Sequence, residues 1–312
     1  MARARRGRPY VAGAALLFAS AFPAGPSAPS PTSAPSPGEP ADFRVVEAKP
    51  GVFAAIADPR RGGAVGNAGF VVGSDAVLVV DAFATEAAAR SLLAEIRRRT
   101  RLPIRWLVDT HHHRDHCGGN AVFARAGAAV VASEPARERM REKLPPAALP
   151  SLTYRDSISI WLGDRRVDVF TKPGHTPGDS LVSIPDADAL FGGDLLQKAT
   201  VPNLADADSE AWVKTLDELA RRFPSATLIP GHGDVARPLD MRALRAYLVG
   251  LRAAVAGELR RGKSGAALVE AVLPAFAPSY RGWAWSESIP ESVAQMEREL
   301  TGKTGSRPAP TP

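Results

Sequence analysis

The fold and the chemistry of this chain are decided by the stretch Thr110-His111-His112-His113-Arg114-Asp115-His116. It directly follows the apolar run 104–108, which has the β-branched and aromatic composition of a strand. Alternate residues of an extended segment project to the same side, so His111 and His113 can bind one metal ion. As the chain turns, Asp115 and His116 can reach a second metal. His112 points away from its neighbours, and we expect it not to be a ligand.

All six histidines of the chain lie in three short motifs. The other two motifs are Pro173-Gly174-His175-Thr176-Pro177-Gly178 and Pro230-Gly231-His232-Gly233. Both begin where an apolar strand ends, and glycine there lets the backbone bend around a ligand. Asp194, at the end of Phe191-Gly192-Gly193-Asp194, is predicted to have the same strand-end position. Nitrogen and oxygen donors without thiolates favour zinc, although iron or manganese would also accept them.

The composition is that of an ordinary globular protein, with 45% hydrophobic and 23% charged residues in a chain of 312. The net charge of +6 does not indicate nucleic-acid binding, because four of those charges come from arginines within the first eight residues. The remaining basic clusters fall on outer helix faces. A single cysteine, Cys117, excludes an intramolecular disulfide, and we expect it to pack at a tight turn.

The N-terminus resembles an export signal. A basic segment, Met1 to Arg8, precedes an apolar run that ends in the cleavage-site pattern Ala19-Ser20-Ala21. We therefore predict a signal peptide over 1–21 and a Pro/Ser/Ala-rich linker over 22–41, with a periplasmic or secreted product. No stable membrane insertion is expected after signal removal, although a retained anchor is the alternative. The pair Arg5-Arg6 leaves Sec and twin-arginine export open.

The pattern of elements predicts two halves, each running from β-rich segments to α/β units. The predicted strands are 43–57 (a pair broken at Pro50-Gly51), 68–72, 76–80, 104–108, 128–132, 157–161, 167–171, 180–184, 189–192 and 227–229. The predicted helices are 84–99, 120–125, 134–143, 209–222, 239–261 and 291–300. Two sheets with helices outside make a four-layer α/β arrangement. We assign 42–262 to the metal-binding domain, 263–300 to a C-terminal helical extension packed on it, and 301–312 to a disordered tail.

With these motifs the chain resembles the metallo-β-lactamase superfamily over about Phe43 to Val255. The H-x-H-x-D-H run carries the resemblance, and Asn67-Ala68-Gly69-Phe70-Val71-Val72 and Val79-Val80-Asp81 are similar to the opening hairpin of that family. The resemblance implies an αβ/βα sandwich with the site at one edge.

The resemblance also implies a role for each candidate residue. The first metal site would be made by His111, His113 and His175, the second by Asp115, His116 and His232, with Asp194 as the bridging ligand. Asp81 matches an aspartate that orients a ligand. Two zinc ions per chain would generate a bridging hydroxide that attacks a carbonyl, and Asp115 would also pass a proton to the leaving group. The expected class is therefore a metal-dependent hydrolase acting on a small molecule.

The substrate is less well defined. The stretch 200–208 looks like the corresponding part of zinc β-lactamases, which makes Asn203 and Lys198 candidate substrate-binding residues; a turn asparagine and a solvated lysine are the alternatives. However, those enzymes use cysteine at the position of Asp194. Asp194 together with His116 is the pattern of glyoxalase-II-like thioesterases and lactonases.

The leading hypothesis is therefore an exported hydrolase of an ester, thioester, lactone or amide. A true metallo-β-lactamase is the alternative, followed by an iron-dependent sulfur dioxygenase and a non-catalytic assembly module. The aromatic stretch Leu273 to Trp285 either lines the pocket or packs the last helix onto the core, and we favour packing.

Overall fold

The computed structural model describes Met1, residues 42–58 and residues 60–302. The predicted signal peptide and linker lie outside the described residues, apart from Met1. Most of the predicted tail also lies outside them; its first residue, Thr301, closes the last helix, and Gly302 follows in a left-handed conformation.

Runs of strands and runs of helices follow one another along the described residues. The strands there are β1 (Phe43–Lys49), β2 (Val52–Ala57), β3 (Ala68–Val72), β4 (Val77–Val80), β5 (Ile104–Val108), β6 (Ala129–Ser133), β7 (Leu152–Tyr154), β8 (Ser157–Leu162), β9 (Arg165–Thr171), β10 (Ser180–Ile184), β11 (Ala189–Gln197) and β12 (Thr227–His232). The α-helices are α1 (Glu86–Arg99), α2 (Arg114–Cys117), α3 (Asn120–Arg125), α4 (Glu134–Met140), α5 (Ser209–Arg222), α6 (Met241–Arg260), α7 (Gly265–Phe276) and α8 (Ile289–Thr301).

The strands form two sheets. One has the order β1-β2-β3-β4-β5-β6-β7, and the other has the order β12-β11-β10-β9-β8. The first sheet is antiparallel from β1 to β4 and parallel from β4 to β7. In the second sheet only the pair β11 and β12 is parallel. The parallel strands end beside one another, so the loops that follow β5, β11 and β12 can meet at one edge.

Side chains alternate along each strand between two apolar layers. In β4, Leu78 and Val80 belong to the core between the sheets, whereas Val77 and Val79 belong to the core beneath α1 and α3. Val182 of β10 likewise lies between the sheets. Because successive side chains of β4 enter the two layers in turn, both faces of the strand are buried, and all of its residues are apolar.

The helices cover the outer faces of the two sheets. The α1 helix begins after Thr85, whose side chain accepts a hydrogen bond from the Ala88 amide, and it buries Leu92 and Ile96 against the first sheet. The helices α5 to α8 cover the second sheet, where the large side chains of Trp212 and Tyr247 are fully buried. The resulting layers, helix, sheet, sheet and helix, confirm the predicted αβ/βα sandwich. Within the described part of the chain, no helix has both the length and the apolarity to cross a membrane.

Four elements differ from the sequence prediction, including the short helix α2, which lies where only a turn was expected. The strand predicted over 189–192 continues to Gln197 as β11, so Asp194 lies inside a strand rather than at its end. Gly193, with a φ of +47°, and a shift of register between β11 and β12 beside it account for the difference, since they bend the strand locally. The short strand β7 and the helix α7 were not predicted, because β7 has three residues and α7 carries an internal proline, Pro274.

Candidate metal centre

The first group of candidate ligands comes from the loops after β5 and β9. Nδ1 of His113 lies 3.0 Å from Nε2 of His175. Nδ1 of His111 lies 3.1 Å from the hydroxyl of Thr110, and its Nε2 is buried without a hydrogen-bond partner. One donor atom from each of the three histidines falls within 4.8 Å of the others. The structure thus brings together the three residues predicted for the first site.

The second group combines the short helix α2 with the end of β12. Oδ2 of Asp115 lies 3.3 Å from Nε2 of His116 and 3.3 Å from Nε2 of His232. These three side chains also offer one donor atom each within 4.8 Å. His113 of the first group is the N-cap residue of α2, and Asp115 and His116 of the second group lie within that helix. Candidate ligands of both groups are thus carried by one short helical turn.

Asp194 connects the two groups. Its Oδ2 lies 3.4 Å from Nε2 of His175 and 3.2 Å from Nε2 of His232, and its Oδ1 lies 3.1 Å from Nε2 of His116. Burial alone would raise the pKa of this carboxyl, but the neighbouring histidines hold it well below its usual range. An ionised carboxylate therefore lies between the first and the second set of histidines, as a bridging ligand requires.

Asp81, at the end of β4, holds His116 from behind. Its Oδ2 lies 2.9 Å from Nδ1 of His116 and accepts a hydrogen bond of 2.8 Å from the Thr110 hydroxyl. Its Oδ1 accepts a 2.7 Å hydrogen bond from the Thr110 amide. This side chain is buried, and its backbone has a φ of +59°, a strained conformation for a residue other than glycine. With Nδ1 engaged, Nε2 of His116 is directed at Asp115 and Asp194.

Asp206 is a neighbour of the site for which the sequence analysis assigned no role. Its Oδ2 lies 3.0 Å from Nε2 of His113 and 3.5 Å from Nε2 of His112. Contact with these histidines holds the pKa of Asp206 far below its usual range. His112, His113 and Asp206 form another group of donors that could hold a cation, and this group shares His113 with the first site. The loop before α5 brings Asp206 to the histidines, and no local spacing could have indicated that contact.

Backbone contacts support the loops that carry the histidines. The Asn67 side chain donates hydrogen bonds of 2.8 Å to the carbonyls of Pro230 and Gly233, on either side of His232. Asp179 accepts hydrogen bonds from the amides of His175 and Thr176, at 2.7 and 2.8 Å. Asp179 therefore stabilises the loop that carries His175.

Glycine is required next to the carboxylate of Asp194. A Cβ atom on Gly231 would collide with Oδ1 of Asp194 and with the backbone of Gly193. The glycine that precedes His232 therefore makes room for the carboxylate as well as for the bend.

Cys117 contributes packing to this region. Its thiol is buried and donates to the carbonyls of His112 and His113, at 3.4 and 3.2 Å. Burial raises the pKa of the thiol well above its usual value, so it stays protonated.

The metal-ligand candidates open into a cavity of about 590 Å³. It is lined on one side by His113, Asp115, Asp194 and His232, and on the other by residues of the 201–203 loop and of α8.

Trp285, from the aromatic stretch 273–285, also lines the cavity, with its ring centroid 4.8 Å from that of His232. Tyr280 and Trp283 instead pack on Tyr247 in the core. The favoured interpretation of this aromatic stretch was therefore incomplete, because one of its members faces the cavity.

The two substrate-binding candidates have different surroundings. Asn203 is exposed and lines the cavity. The Lys198 ammonium donates a 2.9 Å hydrogen bond to the Val235 carbonyl and lies 3.5 Å from Oδ2 of Asp240, and Lys198 is not among the cavity residues. The cavity position belongs to the preceding residue, Gln197, which is buried and donates to Asp194 Oδ2 at 3.3 Å.

The chemistry of this donor set fits metal ions. Nε2 of His111 is buried without a hydrogen-bond partner. Nε2 of His116 and Oδ1 of Asp194 lie 3.1 Å apart but make no hydrogen bond with each other or with any other group of the described residues. Buried polar atoms of this kind cost free energy unless something satisfies them. Burial lowers the pKa of His175 to about 3, so its ring is neutral and able to ligate at neutral pH. For His232, burial is outweighed by the carboxylates of Asp194 and Asp115, which raise the pKa to about 9.

Comparison with known proteins agrees with this geometry. The sequence model of the metallo-β-lactamase superfamily matches residues 61–232. A metallo-β-lactamase type 2 from Bacteroides fragilis is 31% identical over 152 residues, which are 44% of this chain and 60% of that protein. A linear primary-alkylsulfatase from Pseudomonas sp. is 24% identical over 210 residues, covering 51% of this chain and 40% of that protein. The chain thus spans 60% and 40% of the length of these two relatives.

A solved metallo-β-lactamase from Pontibacter korlensis has the same fold. It superposes with a TM-score of 0.60 at 24% identity, covering 66% of this chain and 99% of that one. Because the family match covers more than half of the sequence, this chain belongs to the metallo-β-lactamase superfamily. The family and the fold predicted from the H-x-H-x-D-H run are therefore confirmed.

Proposed function

We propose that this protein is an exported hydrolase that binds two zinc ions and cleaves a carbonyl substrate such as an ester, thioester, lactone or amide. The position of Asp194 carries the proposal. A carboxylate within 3.4 Å of His175 and within 3.2 Å of both His116 and His232 is placed to serve two metals at once. Carboxylate at this position, where the related β-lactamases have thiolate, favours the wider ester and thioester chemistry.

His111, His113 and His175 would hold one ion, and Asp115, His116 and His232 the other, with Asp194 shared. Zinc bound in this way supplies an activated water near neutral pH and polarises the substrate carbonyl. Oxygen and nitrogen donors also bind iron or manganese, so the choice of zinc is itself part of the proposal.

Asp115 is the residue of this chain best placed to move a proton. It lines the cavity and reaches His116 and His232 at 3.3 Å each. Burial alone would raise its pKa, but His116 and His232 hold that pKa well below the usual range, so the carboxylate is ionised. An ionised carboxylate at the cavity wall can accept a proton during attack and return it to the leaving group. Asn203, on the opposite wall, can donate a hydrogen bond to the substrate carbonyl.

A β-lactamase activity is the second candidate. The Bacteroides fragilis relative, named as a metallo-β-lactamase, favours it, as does the placement of Asn203 in the cavity. The surroundings of Lys198 count against it, since its ammonium is engaged by Val235 and Asp240, and a neutral glutamine takes the cavity position. Arg114 is the cationic side chain that lines the cavity within the described residues. A substrate carboxylate would therefore have to bind through Arg114.

The remaining hypotheses receive less support. A sulfur dioxygenase with a single iron would need one group of ligands, and the two groups of candidate donors around Asp194 are more than it requires. A non-catalytic assembly module would not need a cavity of about 590 Å³ beside those donors.

The proposal is tested by measuring zinc content and hydrolysis with zinc-loaded protein across esters, thioesters, lactones and β-lactams. We expect about two zinc ions per chain and turnover of at least one non-lactam class. Chelation should abolish turnover and added zinc should restore it. Full activity after exhaustive chelation would refute the proposal, and preferential turnover of β-lactams would establish the second candidate. Export is tested by N-terminal sequencing of protein recovered from the bacterial periplasm, where we expect cleavage after Ala21.

A further inference from the structure

The helix α8 lies beyond residues 61–232, which match the family, yet it forms one wall of the cavity. Gln295, on this helix, is buried and faces the loop that joins β11 to α5. Its Oε1 accepts a 2.8 Å hydrogen bond from the Leu204 amide. Its Nε2 donates to Oδ1 of Asn203 at 3.0 Å and to Oε1 of Glu291 at 3.3 Å. Every polar atom of the Gln295 carboxamide is thus engaged.

These contacts decide which way the Asn203 amide faces. A backbone N–H can only donate, so the oxygen of Gln295 must face Leu204 and its nitrogen must face Asn203. Oδ1 of Asn203 also accepts a 3.0 Å hydrogen bond from the Ala205 amide. The carboxamide oxygen of Asn203 is therefore engaged twice, and its Nδ2 is the atom left to interact with a molecule in the cavity.

We propose that Gln295 is a positioning residue that holds Asn203 with its Nδ2 as a hydrogen-bond donor toward the substrate carbonyl oxygen. This inference rests on the proposed hydrolase function. A carbonyl oxygen gains negative charge as it is attacked, and a pre-oriented donor stabilises that charge more than it stabilises the ground state. Helix α8 then contributes to turnover through the hydrogen bond from Gln295 to Asn203, two residues that lie 92 positions apart in the sequence.

The substitution Gln295→Glu separates positioning from packing. It keeps an oxygen for the Leu204 amide and the shape of the side chain, but it replaces the donor to Asn203 with an acceptor. Oδ1 of Asn203 would then keep the Ala205 amide as its donor but face an added carboxylate, so the Asn203 amide should lose its fixed orientation. Loss of one oxyanion donor reduces kcat by about 100- to 1,000-fold in a well-studied protease. Because Asn203 is still present, we expect a smaller loss of about 10-fold.

A double-mutant cycle shows whether Gln295 acts through Asn203. In full-length, zinc-loaded protein, Gln295→Glu should lower kcat and change KM by less than about threefold, whereas it should have no further effect in an Asn203→Ala background. Val293→Ala, a cavity-forming change in the core face of the same helix, should lower Tm but leave kcat unchanged. An equal loss of kcat from Gln295→Glu in both backgrounds, or no loss in either, would overturn the proposal. If Gln295→Glu does not fold, Gln295→Met, which removes all three hydrogen bonds of the carboxamide, replaces it in the cycle.

A second measurement needs neither metal nor turnover. The side-chain amide resonance of Asn203, identified in the NMR spectrum by its loss in Asn203→Ala, should shift strongly in metal-free Gln295→Glu and stay in place in Val293→Ala. An unchanged resonance would show that Gln295 does not orient Asn203. If the resonance shifts but the wild-type protein hydrolyses none of the panel, the proposed function fails while the orienting contact stands.

Discussion

Nδ1 of His116 lies 2.9 Å from Oδ2 of Asp81, and Nε2 of the same ring lies 3.1 Å from Oδ1 of Asp194. Nδ1 on one edge of the ring is therefore held by a buried carboxylate, while Nε2 on the opposite edge is directed at the candidate metal site. Burial lowers the pKa of His116, but the carboxylates of Asp115, Asp194 and Asp81 together raise it well above its usual value. Both nitrogens thus have a defined role, which a ligand needs if its geometry is to be fixed.

Asp81→Ala should weaken zinc binding at the second site. Without the carboxylate, the His116 ring loses its orienting partner, and changes of this kind lower metal affinity by about 10- to 100-fold. Competition with a chromogenic chelator would show one weakened ion and one unaffected ion. Asp75→Ala, which removes an exposed aspartate paired with Arg105, is the matched control. Equal zinc affinities in the two variants would contradict the orienting role.

Asp194→Ala should affect both ions, whereas His232→Ala should affect one. Asp194 contacts His175 of the first group as well as His116 and His232 of the second, while His232 belongs only to the second. Metal analysis after dialysis should give about two zinc ions for the wild type and about one for His232→Ala. For Asp194→Ala we expect less zinc than for His232→Ala. The same zinc content in both variants would rule out a shared ligand.

Metal-free protein should lose stability as the pH rises from about 6.5 to about 9. Burial disfavours the charged form of His232, but Asp194 and Asp115 raise its pKa to about 9, so the protonated ring stabilises the folded metal-free state. A group whose pKa is raised on folding contributes fully below its unfolded pKa, and that contribution disappears as the pH passes its folded pKa. Thermal unfolding of chelated protein from pH 6 to 10 measures this loss. Zinc-loaded protein should show a smaller fall, because metal takes the place of the proton.

Lys198→Ala should change KM for carboxylate-bearing substrates by less than about twofold, because its ammonium is held by Val235 and Asp240. Gln197→Lys, in contrast, should lower that KM, since it places a cation at the cavity wall. Steady-state kinetics with a β-lactam and with a neutral ester distinguishes the two positions. A large rise in KM for Lys198→Ala would restore the role predicted for Lys198 from the sequence.

Trp212→Ala should destabilise the fold and disturb the first metal site together. The Trp212 side chain is fully buried, donates a 3.0 Å hydrogen bond to the Leu195 carbonyl, and packs with its ring centroid 5.3 Å from that of His175. Truncating a buried tryptophan costs about 3–5 kcal/mol of unfolding free energy. Urea unfolding measures the loss in metal-free protein, and zinc titration measures the weakened site. Unchanged zinc affinity would show that the packing supports the core alone.

The sequence by itself indicated the candidate donors, most of the strands and helices and the sandwich, because each leaves a pattern over a few residues. His111 and His113 share a side because they are two apart, and the strands alternate because each lies between two apolar layers. β4 and β5 are neighbouring parallel strands joined through helix α1, and β11 and β12 are joined in the same way through α5.

Only the tertiary structure decided which atoms face one another across long separations. Asp194 lies inside β11 because of a local bend at Gly193, and Asp206 reaches His113 across 93 residues. Gln197, the last residue of β11, lines the cavity, whereas Lys198 lies in the bend that follows and places its ammonium near Val235 and Asp240. The bond from Gln295 to Asn203 depends on how α8 packs on the second sheet. Packing of this kind depends on the whole core, and no local pattern of residues specifies it.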